Sequence, residues 1–463
     1  MFKAAHARLV RSLKGRLDSE LFTYEQLRGM FIPLLLDQLF IFGIGILSSA
    51  MVSSSGAGAI TAMTYAGSIS NLAFAVYSAL SVGTGIVIAR AKGSTNALAI
   101  REAIGEGCVV CTLIGSVFGI LLSLFGTNIV RFFYPSVTRE IVLDAGKYLK
   151  YFGLSIIPYS LFNVIFAAFR SVGDTKSSLT LTLIINSVHL LCSLLYINGL
   201  GMGVAGSGLS FLTARVIGTV FAMFWLMRSH CGLGMRWRDF LHFDPKIARD
   251  IVSLGIPISI EQVLFQGGML IVSMFISKMP VAQTDANGVA NSMFMLYYVF
   301  GYSLTNITNT VCGQCIGAKN SKLYEHYCRN IVYVGRFVLL FAILLLYPMT
   351  PLIMKLYAPS ADAVKYVYVS LAISAFPMPL FWSDGFVIPT ANRAAGDAVF
   401  TTVISLIALA IGRIGTGYIL INFAKLGIYG IWLGQLVEWI FRAVVFRLRL
   451  RSGRWMKADL GQA

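Results

Sequence analysis

Apolar runs of about 20 residues recur along the whole chain, and this feature restricts its possible folds more than any other. Each run is long enough to cross a hydrocarbon core of roughly 30 Å. Twelve can be read, near 28–51, 60–90, 98–126, 141–168, 177–198, 203–228, 251–278, 286–316, 327–347, 362–390, 398–421 and 427–448. Within lipid every backbone polar group must pair internally, and segments of this length do so as helices. The rest of the composition agrees. With 57% hydrophobic and 12% charged residues and a mean hydropathy of +0.76, the chain lacks the polar surface of a soluble protein. The expected fold class is all-α integral membrane, with no soluble domain left to place.

A formal net charge of +17 would suit nucleic acid if it were gathered on one soluble face. Instead most Lys and Arg fall in loops on the side of the N-terminus, and only Arg215 and Arg413 fall deep within the predicted spans. That is the positive-inside pattern. It predicts a multi-pass membrane protein with both termini cytoplasmic and no nucleic-acid partner. Residues 1–27 ("KAAHARLVRSLKGRL" among them) read as a basic cytoplasmic tail, because the apolar run that follows is too long for a signal peptide and has no small-residue cleavage site. Residues 449–463 read as a second basic tail. The pairs Cys108/Cys111 and Cys312/Cys315 have CxxC spacing but lie in apolar helices. A zinc site needs four ligands, so the cysteines are expected to be small packing residues without disulfides.

The chain repeats itself. "IPLLLDQLF" at 32–40 places Asp37 and Gln38 after Pro33, and "IPISIEQVLF" at 256–265 places Glu261 and Gln262 after Pro257. "RSVGDTK" (Arg170, Gly173, Asp174) returns as "RAAGDAV" (Arg393, Gly396, Asp397), and "LGMGVAG" at 200–206 aligns with "AKLGIYG" at 424–430. The separation is nearly constant throughout. Each half therefore holds six helices, and an even number returns the chain to the same side. The halves are then parallel repeats about a pseudo-twofold axis along the membrane normal. The expected organisation is an N-lobe at 28–228, a polar cytoplasmic linker at 229–250 and a C-lobe at 251–448.

These motifs, with "VGTGIVIARAKG", "CGQCIGAKNS" and "PTANRAAGD", resemble the MATE (multidrug and toxic compound extrusion) family, bacterial branch, over nearly the whole length. The resemblance implies twelve helices in two lobes and export of organic molecules driven by sodium or protons. It also implies a place in the bacterial inner (plasma) membrane, and no cofactor is expected beyond the coupling sodium or proton. Where relatives carry an acid late in the first helix, this chain has Ser48. Where their fifth helix carries Asn and Asp, it has His189 and Ser193. Glu261 lies about one turn before the acid of many relatives, and Asp384 lies close to their tenth-helix Asp.

Charges inside the predicted spans are the candidate functional groups, since each costs about 2.5–3.5 kcal/mol at the bilayer centre. Glu261, Gln262, Asp384 and Arg413 are assigned to cation or proton coupling, with Glu261 and Asp384 as carboxylate ligands for a monovalent cation. Hard oxygen ligands suit such an ion. The alternative is structural ion pairing, for instance of Arg413 with Glu438 or Asp384. Asp37, Gln38 and His189 are assigned to the substrate cleft. His189 is a candidate proton carrier, with a reference pKa of about 6.5, or else a buried hydrogen-bonding residue. Met293, Tyr297 and Tyr298, from "NSMFMLYYVFGY" at 291–302, join the cleft because Met and aromatic side chains re-pack around varied apolar ligands; helix packing explains the same stretch. The expected partners are a small organic substrate, a monovalent cation or proton and membrane lipid, with the chain acting as a monomer. The functional expectation is a cation-coupled exporter of amphipathic or cationic compounds, including a host-made metabolite. A lipid-linked precursor flippase on the same architecture is the alternative; no motif of a membrane enzyme is present.

Overall fold

The computed structural model describes residues 13–53, 57–135, 137–228, 234–240, 243–357 and 360–456, and all regular structure among them is helical. The first half contains α1 (Tyr24–Ser53), α2 (Ala57–Gly93), α3 (Ala97–Phe133), α4 (Arg139–Val172), α5 (Thr175–Ser193) and α6 (Gly203–Arg228). The second contains α7 (Pro245–Ile276), α8 (Val281–Gly317), α9 (Ser321–Leu346), the short α10 (Thr350–Tyr357), α11 (Ala361–Ala375), α12 (Met378–Ala394), α13 (Ala398–Ile407), α14 (Gly417–Asn422) and α15 (Ile428–Arg451). By length and composition, 10 of the described helical segments can cross a membrane, and α11 with α12 makes an eleventh. The helix α8 has 37 residues and ample length, but its Asn, Thr, Gln and Ser content keeps it below the apolarity of the others.

Two predicted spans are interrupted. The run at 362–390 breaks at Phe376–Pro377, where α11 and α12 meet at 55°; proline removes a donor and blocks the preceding turn. The run at 398–421 passes through a π-helical segment, Ala408–Thr416, that contains Gly412, Arg413 and Gly415. A second π segment, Leu194–Gly199, ends the fifth span. Wide turns of this kind are frequent at functional sites.

The duplication is written into the backbone. Left-handed φ angles recur at Thr95 and Lys319 (57° and 52°), Gly173 and Gly396 (94° and 95°), and Gly203 and Gly427 (52° and 54°). At Gly173 and Gly396 the helix ends in a turn that only glycine adopts without strain. Its amide donates back to Arg170 O and to Arg393 O, respectively. Asn96 and Asn320 cap the helices that follow, accepting from backbone amides at 3.0–3.2 Å. Each half thus repeats its helix stops and starts as well as its apolar pattern.

Two compact units result. The N-terminal unit is Leu36–Ser259; the C-terminal unit joins the described residues up to Leu35 with Ile260 onward. The change of unit therefore falls within α1 and α7, just after Pro33 and Pro257. In the N-terminal unit α4 packs against α2, α3 and α6, and the first turns of α7 lie on α2. The contact is so close there that a Cβ on Gly83 would meet Gly255 N and Ile251 O at 3.0 Å. In the C-terminal unit α15 packs on α12, α11 and the π segment Ala408–Thr416.

Candidate functional site

The two carboxylates that follow the prolines meet the two arginines of the repeated Arg-x-x-Gly-Asp motif. Arg170 at the end of α4 donates to Asp37 Oδ2, and Arg393 at the end of α12 donates to Glu261 Oε2 at 2.6 Å. Both acids are buried. The sequence separations within the pairs, 133 and 132 residues, are nearly equal, so one ion pair has been duplicated with the fold. Gln38 donates to the same Asp37 oxygen at 3.2 Å. Gln262 is exposed on α7.

In the C-terminal unit the pair extends into a buried chain of five charges. Glu261 Oε1 accepts from Arg442 at 3.3 Å, Arg442 pairs with Glu438 one turn earlier on α15 at 3.2 Å, and Glu438 pairs with Arg413 at 2.7 Å. The order is Arg393, Glu261, Arg442, Glu438, Arg413, and it ties α12, α7, α15 and the π segment together. Ser405 accepts from Arg442 at 2.5 Å, the Thr402 hydroxyl lies 3.3 Å from Glu261, and Met269 Sδ accepts from Arg413 at 3.2 Å. Alternating signs and added hydrogen bonds are what keep such charges from being ruinous away from water; removing one member of a buried pair typically costs about 3–5 kcal/mol.

Asp384 on α12 belongs to a separate cluster. Its carboxylate pairs with Arg336 at 2.7 Å and Arg447 at 2.8 Å. It forms part of the wall of a cavity of about 780 Å³ that also includes Arg16, Lys322, His326, Arg329 and Arg451. The structure gives Glu261 and Asp384 different arginine partners and no shared one. Among the described residues no group of three or more His, Cys, Asp or Glu side chains is placed to hold a metal ion.

A second cavity, of about 420 Å³, lies inside the N-terminal unit. Its walls are mostly aromatic and aliphatic: Phe74, Tyr148, Tyr159, Phe162, Phe166 and Phe211, with Ile41 and Ile44 of α1. His189 and Arg215 are its buried basic groups, 4% and 6% exposed. The imidazole lies against Phe211 with ring centroids 4.1 Å apart. The Arg215 guanidinium lies 4.1 Å from the centre of the Tyr159 ring, 4.6 Å from that of Phe152 and 5.1 Å from that of Phe211, and it donates to Ser155 at 2.6 Å. Such ring contacts contribute about 0.5–2 kcal/mol each. Asp37 is one turn before Ile41 on α1 but is not part of this wall.

The stretch at 291–302 lies in the packing of the C-terminal unit. Met293 and Tyr297 are buried, and Phe294 stacks on Trp439 and meets Trp432 and Tyr298 edge-on. The two motif aspartates serve different ends: Asp174 caps α5 through Ser177, whereas Asp397 holds Arg449 with two bonds of 2.9 and 3.1 Å. The described cysteines are free, and all but Cys192 are buried. Sequence reasoning counted only Arg215 and Arg413 within the spans and so missed Arg336, Arg442 and Arg447, which lie inside the predicted spans 327–347 and 427–448. Arg442 in particular is 3% exposed. Its spacing of four from Glu438 was the available signal.

A duplicated bundle of helices long and apolar enough to span a membrane, with buried ion pairs and an internal aromatic cavity, is the architecture of a polytopic membrane protein. Comparison with known proteins gives the family. The MatE family profile matches residues 33–195 and again 257–419, one match per repeat, and the chain belongs to that family. It is 23% identical over 437 residues to "Uncharacterized transporter YisQ" of Bacillus subtilis, covering 92% of this chain and 94% of that protein. It is also 23% identical over 393 residues to "Probable multidrug resistance protein NorM" of Thermotoga maritima, covering 82% of each. In structure it is similar to an outward-facing multidrug resistance MATE family transporter of the MOP superfamily, with a TM-score of 0.84 at 17% identity over 93% of this chain and 96% of that one.

Proposed function

We propose that this chain is a secondary active exporter of amphipathic organic compounds, coupled to sodium or proton influx by alternating access. The observation that carries the reading is the aromatic cavity buried among helices long enough to span a membrane. Its volume falls at the lower end of the range for small-molecule sites. The names of several relatives, probable multidrug resistance proteins, point the same way. The asymmetry of Lys and Arg supports an inner-membrane location with cytoplasmic termini. The chain acts as a monomer.

Coupling is assigned to Glu261, supported by its burial on a proline-bearing helix. Its carboxylate already holds two guanidiniums, so an entering cation competes with Arg393 for the same oxygen. Exchange of Arg393 for sodium or a proton would release the end of α12 from α7 and so bias the conformational equilibrium. Asp384, held by Arg336 and Arg447, offers the same exchange at a second place, and Arg413 is assigned to coupling through its pair with Glu438. One elementary charge moving through about 150 mV supplies about 3.5 kcal/mol, sufficient for one monovalent ion to sustain a gradient of roughly 300-fold. The test is efflux in inside-out vesicles containing the full chain, across sodium and pH series. Movement of amphipathic dyes that ignores every imposed ion gradient would overturn the reading.

A further inference from the structure

We propose that the cavity of the N-terminal unit is a subsite for an aromatic organic anion, whose carboxylate or sulfonate rests on Arg215 and His189. The proposal takes the export reading as its frame and narrows the substrate class. Arg215 is buried on α6, donates to the neutral Ser155 hydroxyl and lies beside the Tyr77 hydroxyl, and among the described residues no ion pair joins it to a carboxylate. Its other neighbours are π faces. The cavity wall contains no Asp or Glu, and the adjoining sequence 45–57, whose side chains are not described, contains none either. Asp37, the one carboxylate of α1 in this unit, is already held by Arg170.

The repeat explains how this charge came to stand alone. Gly203 and Gly427, which share the same left-handed backbone, fix the alignment of α6 with α15. By that offset Glu438 corresponds to Ala214, and Arg442 corresponds to Gly218. In the C-terminal unit the Glu438 carboxylate neutralises Arg413 and Arg442. In the N-terminal unit a methyl group and a hydrogen stand there instead, and the next residue is Arg215. Two large charged side chains are absent from α6, and Ala214 itself lines the cavity. The space is therefore open and cationic where its counterpart is filled and paired.

His189 completes the recognition site. Its Nε2 is buried without a hydrogen-bond partner, and its ring and the Arg215 guanidinium both contact Phe211. An anion seated there accepts from Arg215 and from the N–H of a neutral imidazole at Nε2, while its ring system packs among Tyr159, Phe162 and Phe166. A guanidinium matches the planar fork of a carboxylate. A quaternary or primary ammonium meets a like charge in the same place.

Indole-3-acetate and tryptamine make a matched pair of probes, alike in ring and opposite in charge. Binding of each to the purified full chain in detergent is measured by equilibrium dialysis, for the wild type, R215Q, R215K and H189Q. Indole-3-acetate is expected to bind at least tenfold more tightly than tryptamine. R215Q should erase that preference, R215K should keep part of it, and H189Q should weaken the anion severalfold. Equal binding of the two probes by the wild type, or tighter binding of tryptamine, overturns the proposal; so does an unchanged preference in R215Q. Should R215Q fail to fold, the wild-type preference and its graded loss in R215K and H189Q decide. Vesicle transport separates this from the export reading. Anion binding through Arg215 without gradient-driven movement sinks export and leaves the subsite. Gradient-driven movement of tryptamine with no binding of indole-3-acetate does the reverse.

Discussion

Neutralising Glu261 and Arg393 singly and together separates coupling from folding. Glu261→Gln leaves Arg393 with the Thr401 hydroxyl at 3.3 Å, and leaves Arg442 with Glu438 at 3.2 Å. Breaking a buried pair from one side costs about 3–5 kcal/mol. Because Arg442 keeps a second carboxylate, the lower end applies, about 3 kcal/mol or roughly 100-fold in the folding equilibrium. Arg393→Gln leaves Glu261 on Arg442 at 3.3 Å and should cost less, about 1–2 kcal/mol. The double variant removes both ends of the 2.6 Å pair and should recover about 2 kcal/mol relative to the sum of the singles. The assay is the heat-induced loss of the monodisperse peak in detergent, run beside ion-driven efflux in vesicles. The double variant should therefore be no less stable than Glu261→Gln alone, about 2–3 kcal/mol below the wild type, while efflux stays abolished, because the carboxylate assigned to coupling is gone. A double variant as unstable as the sum of its parts would refute the pairing. One that regains efflux along with stability would make the pair structural and move coupling elsewhere.

Glu438→Gln should cost more than Arg413→Gln, by about 1–2 kcal/mol, since Glu438 is the sole carboxylate between two buried guanidiniums; equal midpoints in the same thermal assay would contradict the charge chain. Asp397→Asn loses two charge-assisted bonds to Arg449 and should lower membrane abundance by about 2–3 kcal/mol of stability, whereas Asp174→Ala loses a helix cap of about 1 kcal/mol. Both should retain transport per molecule, and normal abundance without transport would point to a functional role. Trp237 and Val281 are 65% and 75% exposed and are expected on opposite sides of the membrane. In a cysteine-free chain, an impermeant thiol reagent added outside should label Val281→Cys and spare Trp237→Cys; the opposite pattern would invert the topology.

The spans were legible because hydrocarbon thickness acts residue by residue: a run such as 98–126 announces itself without knowledge of any neighbour. The repeat was legible for a related reason, since Gly173 and Gly396 answer the same local demand for a left-handed turn. Partnerships were not. Arg170 looked like a loop landmark because its acid lies 133 residues away, and no local period links them. Arg442 lies inside the predicted span 427–448 and was not counted among its charges, although one helical turn of spacing from Glu438 was in plain view.

A signal for the distant pairs did exist, in the repeat itself. When an acid and an arginine recur together at the same separation in both halves, the economical explanation is that they touch, and Asp37 with Arg170 and Glu261 with Arg393 satisfy that condition. The same comparison identifies divergence. Glu438 has no acidic counterpart on α6, so an arginine in that neighbourhood lacks the neutralising partner that the other half provides. The two interiors therefore differ in kind. One is a closed chain of paired charges, and the other is an open aromatic cavity with a cation in its wall. A duplicated fold can couple two cargoes once its halves stop being alike, and here the change from Glu438 to Ala214 and from Arg442 to Gly218 marks where they parted.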